Sequence, residues 1–520
     1  MNKKARIMLS VLALMMVVLM VAACTGNNNG DTGPATTDTP QPPPTNATTT
    51  DTTTPAIVPG DTAGPGTRNA QGLRPDVSTH GDTLIVSIAD WMMDPDSPST
   101  MVYAMEAFRA NHPYINVETQ AANIGNDEVI MGMVAAGDLP DVFFDIQRPL
   151  QFLVTQGWVH PLSQFIDEDD ACFQMIPQGI LDMRTLAGEL WALPGRSHVN
   201  NAFLAINVDL MEELNLDMPS VDWTFDEFLD FISAGATDQF AGIQELPSPE
   251  MMGVLMTGDN LFGFDPQANT FDLTTGWVSA HQILAQWNAI PNLVANRLRC
   301  PDDPMENTNS DYVRKFGAGD IGDANMAFMT GNVLTRIANI ADRGMLQENW
   351  HLQEADFDVV LHNFPSDPRV GMAPPLHTMS SIMTSTTQHP EAAFELLRWL
   401  SYSEPGLRSI IEGFFFVGNT TNPNVHAAFD EFWPDAMTPG VRRIIESVGN
   451  GGVVGLFPVV SDYGSIFDSV LQPANEAVTD GGDVHALAAE ATDRASQMLT
   501  EAVARDAVDV AAILAEFNAR

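Results

Sequence analysis

Lysine is almost missing from this chain of 520 residues. Only Lys3, Lys4 and Lys315 occur, and Lys and Arg together number 23 against 67 Asp and Glu, which gives a formal net charge of −44. A surface this acidic repels phosphate backbones and anionic lipid headgroups. The composition therefore argues against nucleic acid as a partner.

Cysteine is also rare, and the familiar motifs of metal and catalytic sites are missing. Of the 3 cysteines, Cys172 and Cys300 are the two that could pair outside the cytoplasm, and both outcomes stay open. The chain has no Cys-x-x-Cys or His-x-x-x-His cluster, no Gly-x-Ser-x-Gly elbow, no His-Glu-x-x-His and no Walker loop. We therefore expect no metal, no cofactor and no catalytic residues, although two carboxylates distant in sequence could still build a glycosidase site.

The first 23 residues have the pattern of an export signal. Basic residues cluster at the very start, an apolar run over 7–22 is interrupted only by Ser10, and small residues precede Cys24. A charged start, an apolar centre and a small-residue cut site describe a signal peptide. The run is shorter than the roughly 20 residues that span a bilayer comfortably. A membrane helix is therefore the less favoured interpretation.

The residues around and after Cys24 indicate a lipid anchor with a spacer. The segment Val-Ala-Ala-Cys resembles a bacterial lipobox, in which the thiol receives a diacylglycerol and the cysteine becomes the new N-terminus. Residues 25–79 are rich in Thr, Pro, Asn, Gly and Asp and have almost no large apolar side chains. Such a composition cannot bury enough surface to offset its ordering entropy. We expect residues 24–79 to form a disordered tether.

From residue 83 the pattern changes to that of a folded domain. Hydrophobic patterning predicts strands over 83–88, 115–120 and 142–144, with helices over 99–111 and 127–136 between them. Strands and helices in alternation indicate a parallel sheet with crossover helices, and therefore an α/β fold. Roughly 440 residues follow the tether, which is enough for two or three domains at the usual length of about 150 residues each.

Later in the chain, two helices have clear sequence signals. Thr224 and Glu227 have capping-box spacing, so the threonine hydroxyl is expected to accept from the Glu227 amide while the carboxylate reaches back. Trp223 and Phe228 occupy the two positions of a hydrophobic staple, which favours a core role for Trp223 over ligand stacking. An alanine-rich amphipathic helix is predicted over 484–499.

Seven short segments together resemble one family. In chain order they are 136–142, 156–162, 188–194, 205–210, 222–228, 325–331 and 389–393, and they include Ala-Gly-Asp-Leu-Pro-Asp-Val and Gly-Glu-Leu-Trp-Ala-Leu-Pro. Their order and spacing resemble the extracellular solute-binding proteins of ABC transporters, in the carbohydrate-binding group that includes maltose-binding protein. The chain departs from that pattern at Ile206 and Val208, and in the exchanged order of Trp223 and Thr224.

The resemblance implies a two-lobe α/β architecture, the periplasmic-binding-protein type II fold, with a hinge and a ligand cleft between the lobes. Crossings between the lobes are expected near 202–205, 360–364 and 413–416. The implied segments are 80–204 and 363–414 for lobe 1, and 205–362 and 415–520, with the C-terminal helices, for lobe 2.

The resemblance also implies which residues contact the ligand. Aromatic side chains cover the apolar faces of a sugar, and polar side chains pair with its hydroxyls. Asn332 stands where many relatives carry a Trp, which weakens the usual stacking platform. For each candidate the alternative is an ordinary surface or core residue. The candidates are Trp91, Asp145, Arg196, Asn200, Asn332 and Tyr463.

The function that follows is solute capture. The signal pattern and the lipobox-like segment indicate an exported protein, lipid-anchored at the outer face of the cytoplasmic membrane. The resemblance implies that it binds a solute, here expected to be a sugar or oligosaccharide, and delivers it to ABC permease subunits without chemistry on the solute. Peptides and polyols also suit this fold. Two alternatives are an extracellular glycan-acting hydrolase and a surface receptor lipoprotein that has no transporter.

Overall fold

The computed structural model describes residues 83–89, 92–95, 100–121, 127–146, 150–199, 202–266, 268–295, 324–338, 356–413, 417–452, 454–455 and 462–519. The predicted signal peptide, the lipidation site Cys24 and the tether lie outside these residues. Cys172 is half-buried and makes no disulfide with a described residue, and Cys300 lies outside the described residues, so their pairing stays open. Within the described part of the chain, no helix combines the length and the apolar character needed to cross a membrane.

Strands and helices alternate along the chain. The strands are β1 (Thr83–Ile88), β2 (Asn116–Ala121), β3 (Val142–Ile146), β4 (Thr185–Leu186), β5 (Glu189–Leu190), β6 (Leu193–Val199), β7 (Phe203–Asn207), β8 (Ala241–Ile243), β9 (Val333–Ala338), β10 (Val359–Asn363), β11 (Pro375–Met383) and β12 (Val454–Gly455). The helices are α1 (Val102–Asn111), α2 (Asp127–Ala136), α3 (Leu150–Thr155), α4 (Ala171–Gln174), α5 (Gln178–Asp182), α6 (Val208–Glu213), α7 (Phe225–Gly235), α8 (Pro249–Thr257), α9 (Gly276–Asn288), α10 (Pro390–Ser401), α11 (Glu404–Glu412), α12 (Pro423–Phe432), α13 (Pro439–Gly449), α14 (Tyr463–Ile466), α15 (Gln472–Thr479) and α16 (Val484–Ala519).

Two larger sheets organise these elements, and β4 and β5 form a separate two-stranded sheet. In the first sheet the strand order is β12-β11-β3-β1-β2, and β6 pairs with the other side of β11. Strand β1 is parallel to β2 and β3, as the alternating strand and helix pattern predicts, whereas β11 is antiparallel to β3 and β6. The second sheet has the order β10-β7-β9-β8. We call the first sheet with its helices lobe 1, and the second with its helices lobe 2.

The chain passes between the two sheets at adjacent places. Strand β6 of lobe 1 leads through 200–202 into β7 of lobe 2, and β10 of lobe 2 leads through 364–374 into β11 of lobe 1. The Phe364 amide donates to the Ala202 carbonyl at 2.6 Å, so the two crossing segments are hydrogen-bonded to each other. The third expected crossing falls largely on 414–416, outside the described residues. The lobe boundaries stay a prediction.

Each sheet is covered on both faces by apolar side chains. In lobe 1, Leu376 and Val199 pack in the core with α10, and Phe143 and Ile382 pack on the other face with α3. In lobe 2, α7 and α9 cover one face, and α13 lies against β10. A Cβ atom on Gly440 of α13 would stand 2.5 Å from the Asn363 nitrogen, so only glycine permits this approach.

The local helix predictions are confirmed and one is extended. Thr224 Oγ1 accepts from the Glu227 amide at 3.3 Å, and Glu227 Oε2 accepts from the Thr224 amide at 2.7 Å. Trp223 is buried and donates from Nε1 to the Asn363 carbonyl at 3.1 Å, so it is a core residue. The predicted helix over 484–499 instead continues to Ala519, because apolar residues recur beyond it.

Helix α16 contacts both lobes. Its first half packs near the lobe 2 helix α9, where Ser496 Oγ and Thr492 Oγ1 accept from backbone amides of 271 and 273 at 3.0 Å each. In its second half, Val510 packs in the apolar cluster of lobe 1, and Gln151 Nε2 donates to the buried Asp506 carboxylate at 3.1 Å. The C-terminal helix is therefore a second connection between the lobes, besides the crossing strands.

Candidate ligand-binding site

Of the six residues predicted to contact ligand, four have a described backbone position and three a described side chain. Trp91 and Asn200 lie outside the described residues. Asp145 is the fourth residue of β3, and its side chain is not among those described. Arg196, Asn332 and Tyr463 are each half-buried.

The lobe 1 candidates lie on either side of β11. Ser380 pairs with Ile146 of β3 on one side and with Pro194 of β6 on the other. Asp145 and Arg196 are therefore placed on the two strands that flank β11, and these strands are about 10 Å apart across two strand spacings. Because β6 and β11 both adjoin the crossing segments, this part of the sheet borders the space between the lobes.

Sequence reasoning missed two basic groups beside Arg196. Arg184, just before β4, is buried and donates from Nη1 to the Ile180 carbonyl at 2.8 Å, and from Nη2 to the carbonyls of Thr378 and Met379 at 2.7 and 2.8 Å. His377 of β11 is half-buried. No motif marks either residue, since 193 positions separate them in sequence and only the fold brings them together.

The charges of these groups influence one another. Burial lowers the pKa of Arg184 to about 9. Burial, followed by the positive charges of Arg196 and Arg184, lowers the pKa of His377 to about 4. His377 is therefore neutral at neutral pH, and the two guanidinium groups supply the positive charge at this edge of lobe 1.

On the lobe 2 side, the candidate Tyr463 lies among aromatic, apolar and acidic side chains. It opens α14, which continues into a π-helix over Phe467–Leu471, and its ring lies 6.1 Å from that of Phe467. Met251 and Ala373 belong to the same apolar cluster, and Ala373 lies in the second crossing segment. Burial, and then the negative charge of Glu250, raise the pKa of the Tyr463 phenol. Tyr463 is thus a neutral aromatic side chain next to a carboxylate.

Glu250 belongs to a hydrogen-bonded network that the sequence did not reveal. Asn475 Nδ2 donates to Glu250 Oε2 at 3.3 Å, and Asn475 Oδ1 accepts from Trp277 Nε1 at 2.7 Å. His281 Nε2 lies 3.1 Å from the same Asn475 oxygen, and burial lowers the pKa of that imidazole. The network joins α8, α9 and α15 and fixes the Glu250 carboxylate beside Tyr463.

Two backbone hydrogen bonds position Asn332. It precedes β9, its carbonyl accepts from the Ala241 amide at 2.9 Å, and its amide donates to Thr330 Oγ1 at 3.2 Å. These bonds fix the turn that enters β9. A ligand contact by its side chain stays a prediction.

The site also contains no evident metal centre among the residues that are described. No group of three or more His, Cys, Asp and Glu side chains in those ranges could hold a metal ion. The groups gathered near the crossing segments are guanidinium, imidazole, phenol and carboxylate. Such groups bind a polar solute through hydrogen bonds and aromatic contact.

Comparison with solved structures identifies the architecture. No protein-family model matches the chain, and no curated protein does either. Many solved structures do match, and those named below share 16–17% identity with this chain. They include a substrate-binding protein of an ABC transporter from Listeria monocytogenes in complex with cycloalternan (TM-score 0.55, 16% identity, 81% of this chain and 99% of that chain). They also include a sugar transporter protein from Rhizobium etli in an open conformation (TM-score 0.58, 17% identity, covering 80% of this chain and 99% of that chain). A third is a solute-binding protein from Thermotoga lettingae bound to alpha-D-tagatose (TM-score 0.52, 16% identity, covering 80% of this chain and 100% of that chain).

The chain has the two-lobe solute-binding-protein fold. The predicted fold class is therefore confirmed, with two mixed sheets, flanking helices and strands that cross between lobes. Arg196 lies on β6, the strand that leads into the first crossing segment, and Tyr463 packs against the same apolar cluster as Ala373 of the second crossing segment.

Replacement of His377 tests whether its imidazole is buried beside the two arginines, because the pH dependence of stability should then change. Its folded pKa of about 4 lies below the ordinary value of 6.5. The unfolded chain therefore binds the proton more readily than the folded chain. The contribution of His377 to the free energy of unfolding is fully present above pH 6.5 and is lost as the pH falls toward 4. Between pH 7 and 4.5 the wild type should lose about 2 kcal/mol more than His377→Gln in denaturant unfolding.

The exposed His485 supplies the matched control for that measurement. His485→Gln should follow the wild-type pH dependence. If His377→Gln also followed it, the imidazole would not lie in the buried, positively charged environment described here.

Proposed function

We propose that this chain is the extracellular substrate-binding component of an ABC importer. It captures a solute, in our proposal a sugar or oligosaccharide, between two lobes and delivers it to a membrane permease. The observation that carries the proposal is the pair of hydrogen-bonded crossing segments, with polar and aromatic groups of both lobes beside them. Structures of the same fold, bound to cycloalternan and to alpha-D-tagatose, support a sugar as the ligand.

The residues near the crossing suit a sugar. The apolar C–H face of a pyranose packs on an aromatic ring, which Tyr463 offers, and its hydroxyls need both donors and acceptors. Arg196 is a donor on lobe 1, and the Glu250 carboxylate is an acceptor on lobe 2. We include Trp91, Asp145, Asn200 and Asn332 in the proposed contact set on the basis of the family resemblance alone.

We further propose that the chain is not an enzyme. Solute capture and release need a cleft that closes and opens, and no bond in the solute has to break. The hydrolase alternative would need two carboxylates that face one another across the cleft. A receptor without a transporter has no specific observation in its favour.

Export and anchoring complete the proposal. The signal pattern over 1–23 and the lipobox-like segment at Cys24 support a protein anchored by lipid at the outer face of the cytoplasmic membrane. The tether over 24–79 would hold the two lobes clear of the membrane surface, where the permease can be reached. The partners in this proposal are a small-molecule solute, permease subunits and the membrane lipid.

A thermal-unfolding screen with mono- and oligosaccharides tests the central function. A ligand that binds only the folded state stabilises it by about 2.7 kcal/mol at a hundredfold excess over its dissociation constant. We expect one sugar class to raise the melting temperature and to be recovered unchanged by chromatography. Stabilisation by a peptide alone would reassign the substrate, and the appearance of cleavage products would contradict a non-enzymatic role.

Replacement of the proposed lipidation site tests the anchor. In a bacterial host, wild-type protein should enter the membrane fraction, with a mass that includes a diacylglycerol on a new N-terminal cysteine. Cys24→Ser should carry no lipid, and the half-buried Cys172 supplies the control, since Cys172→Ser should partition as the wild type does. An unmodified thiol at Cys24 in the wild type would contradict the proposal.

A further inference from the structure

A cavity of about 340 Å³ lies between helices α12 and α13. Phe429, Met437 and Ile445 line it and are buried, so its floor is apolar. Cavities that bind small molecules commonly measure about 300–1,000 Å³ and combine an apolar lining with a few polar groups. The described residues that line this cavity include none of the solute candidates. The space therefore has the size and the lining of a small-molecule site that solute capture does not use.

The two helices that form its walls are held by different neighbours. Asn422 caps α12 by accepting from the Asn424 amide at 2.9 Å, and α12 packs against α11. Thr438 caps α13 by accepting from the Val441 amide at 3.2 Å, and its hydroxyl donates to the Leu361 carbonyl of β10 at 2.6 Å. Because each helix is fixed to a separate element, neither can move inward to fill the space without losing those contacts.

His426 of α12 gives the cavity wall a neutral hydrogen-bond acceptor. Its Nε2 atom lies 2.8 Å from the Thr420 carbonyl, which only accepts, so Nε2 carries the proton and Nδ1 has the lone pair. Nδ1 is buried and has no hydrogen-bond partner in the described part of the chain. Burial lowers the pKa of the imidazole, so the ring is uncharged at neutral pH and does not repel a cation.

The charged groups at the cavity leave one carboxylate over. Arg442 of α13 pairs with Asp430 of α12, so this ion pair joins the two walls. Glu446 lies one turn beyond Arg442 on α13, lines the same cavity, and is exposed. Arg442 is the one guanidinium or ammonium group among the described lining residues, and Asp430 already neutralises it. Glu446 therefore carries a negative charge that no described basic residue compensates.

The chemistry left for a ligand is that of acceptors beside an apolar floor. An anionic ligand would meet a free carboxylate here and no unpaired cation among the described residues. A neutral hydrocarbon would fill the floor but would leave the carboxylate unused. A primary ammonium group supplies three donors and a positive charge, and the field of a chain with a net charge of −44 attracts it.

We propose that the cavity between α12 and α13 binds a small primary amine that has an aromatic or aliphatic body. The ammonium group lies at the Glu446 carboxylate, and the body packs on Phe429, Met437 and Ile445. This site goes beyond the proposed solute capture and shares no residue with the solute candidates, so either proposal can fail without the other.

Three ligands with the same body and different charge test the site, and Met437 reports on it directly. Phenethylamine, 2-phenylethanol and 3-phenylpropionate are titrated to about 10 mM, the range suited to ligands of this size, at about 150 mM salt. The probe is the lipid-modified protein labelled with [methyl-13C]methionine, with the Met437 and Met251 signals assigned from their Leu variants. We expect phenethylamine to shift the Met437 signal saturably and to bind about fivefold or more tightly than the other two.

The same titration has outcomes that would overturn the site. They are no shift of Met437 with phenethylamine, an equal response to 2-phenylethanol, or a shift confined to Met251, which packs in the apolar cluster with Tyr463.

Variants separate binding in the cavity from general attraction of cations to an acidic surface. Glu446→Gln should weaken phenethylamine binding about fivefold. Glu106→Gln, which removes the same charge from an exposed position on α1, should titrate as the wild type does. Ala427→Trp places a large side chain at an exposed lining position and should abolish the saturable shift. An unchanged affinity in both Glu446→Gln and Ala427→Trp would overturn the proposal.

Discussion

The fold depends on one two-stranded ribbon that runs through both lobes. Strand β6 pairs with β11 in lobe 1, and their continuations β7 and β10 pair with each other in lobe 2. Between them the Phe364 amide donates to the Ala202 carbonyl at 2.6 Å, which extends the pairing of β7 with β10 by one residue toward lobe 1. The ribbon places each lobe relative to the other, and it brings the polar ends of both sheets to the same space. A change of backbone angles within the two crossing segments is enough to rotate one lobe against the other.

Helix α16 adds a constraint to that motion. Its first half is held by backbone amides of lobe 2, and its second half packs in an apolar cluster of lobe 1. A rigid rotation about the ribbon would change the packing at one of these two contacts. Closure of the lobes therefore has to shift or bend the helix, or slide it over apolar side chains, where the packing is less directional than a hydrogen bond.

Local sequence patterns correctly predicted the elements that short-range interactions determine. The strands β1 to β3 follow from hydrophobic alternation and length, and the capping box at Thr224 follows from the spacing of two side chains. The core position of Trp223 follows from the hydrophobic-staple spacing of Trp223 and Phe228. The predicted end of the C-terminal helix was wrong by about 20 residues, because alanine-rich sequence gives a weak contrast between buried and exposed faces.

The candidate site was harder to predict, because its geometry comes from contacts between distant segments. Arg196 was identified through its place just after the family-resembling segment 188–194, but its neighbours Arg184 and His377 carry no motif. Glu250 became visible only through Asn475, which lies 225 residues away. Such groups are assembled by the pairing of β6 with β11 and by the packing of α8, α9 and α15, and a single sequence does not encode those pairings in a local pattern.

The central claim is that the lobes close on a solute, and a distance across them tests it most directly. Spin labels at Glu118→Cys on lobe 1 and Asp230→Cys on lobe 2, both exposed positions, would report the separation in a Cys172→Ser, Cys300→Ser background. With a saturating sugar from the screen, the distance distribution should shift to one shorter, narrower population. An unchanged distribution at saturation would contradict closure about the ribbon and, with it, the account of how this chain captures its ligand.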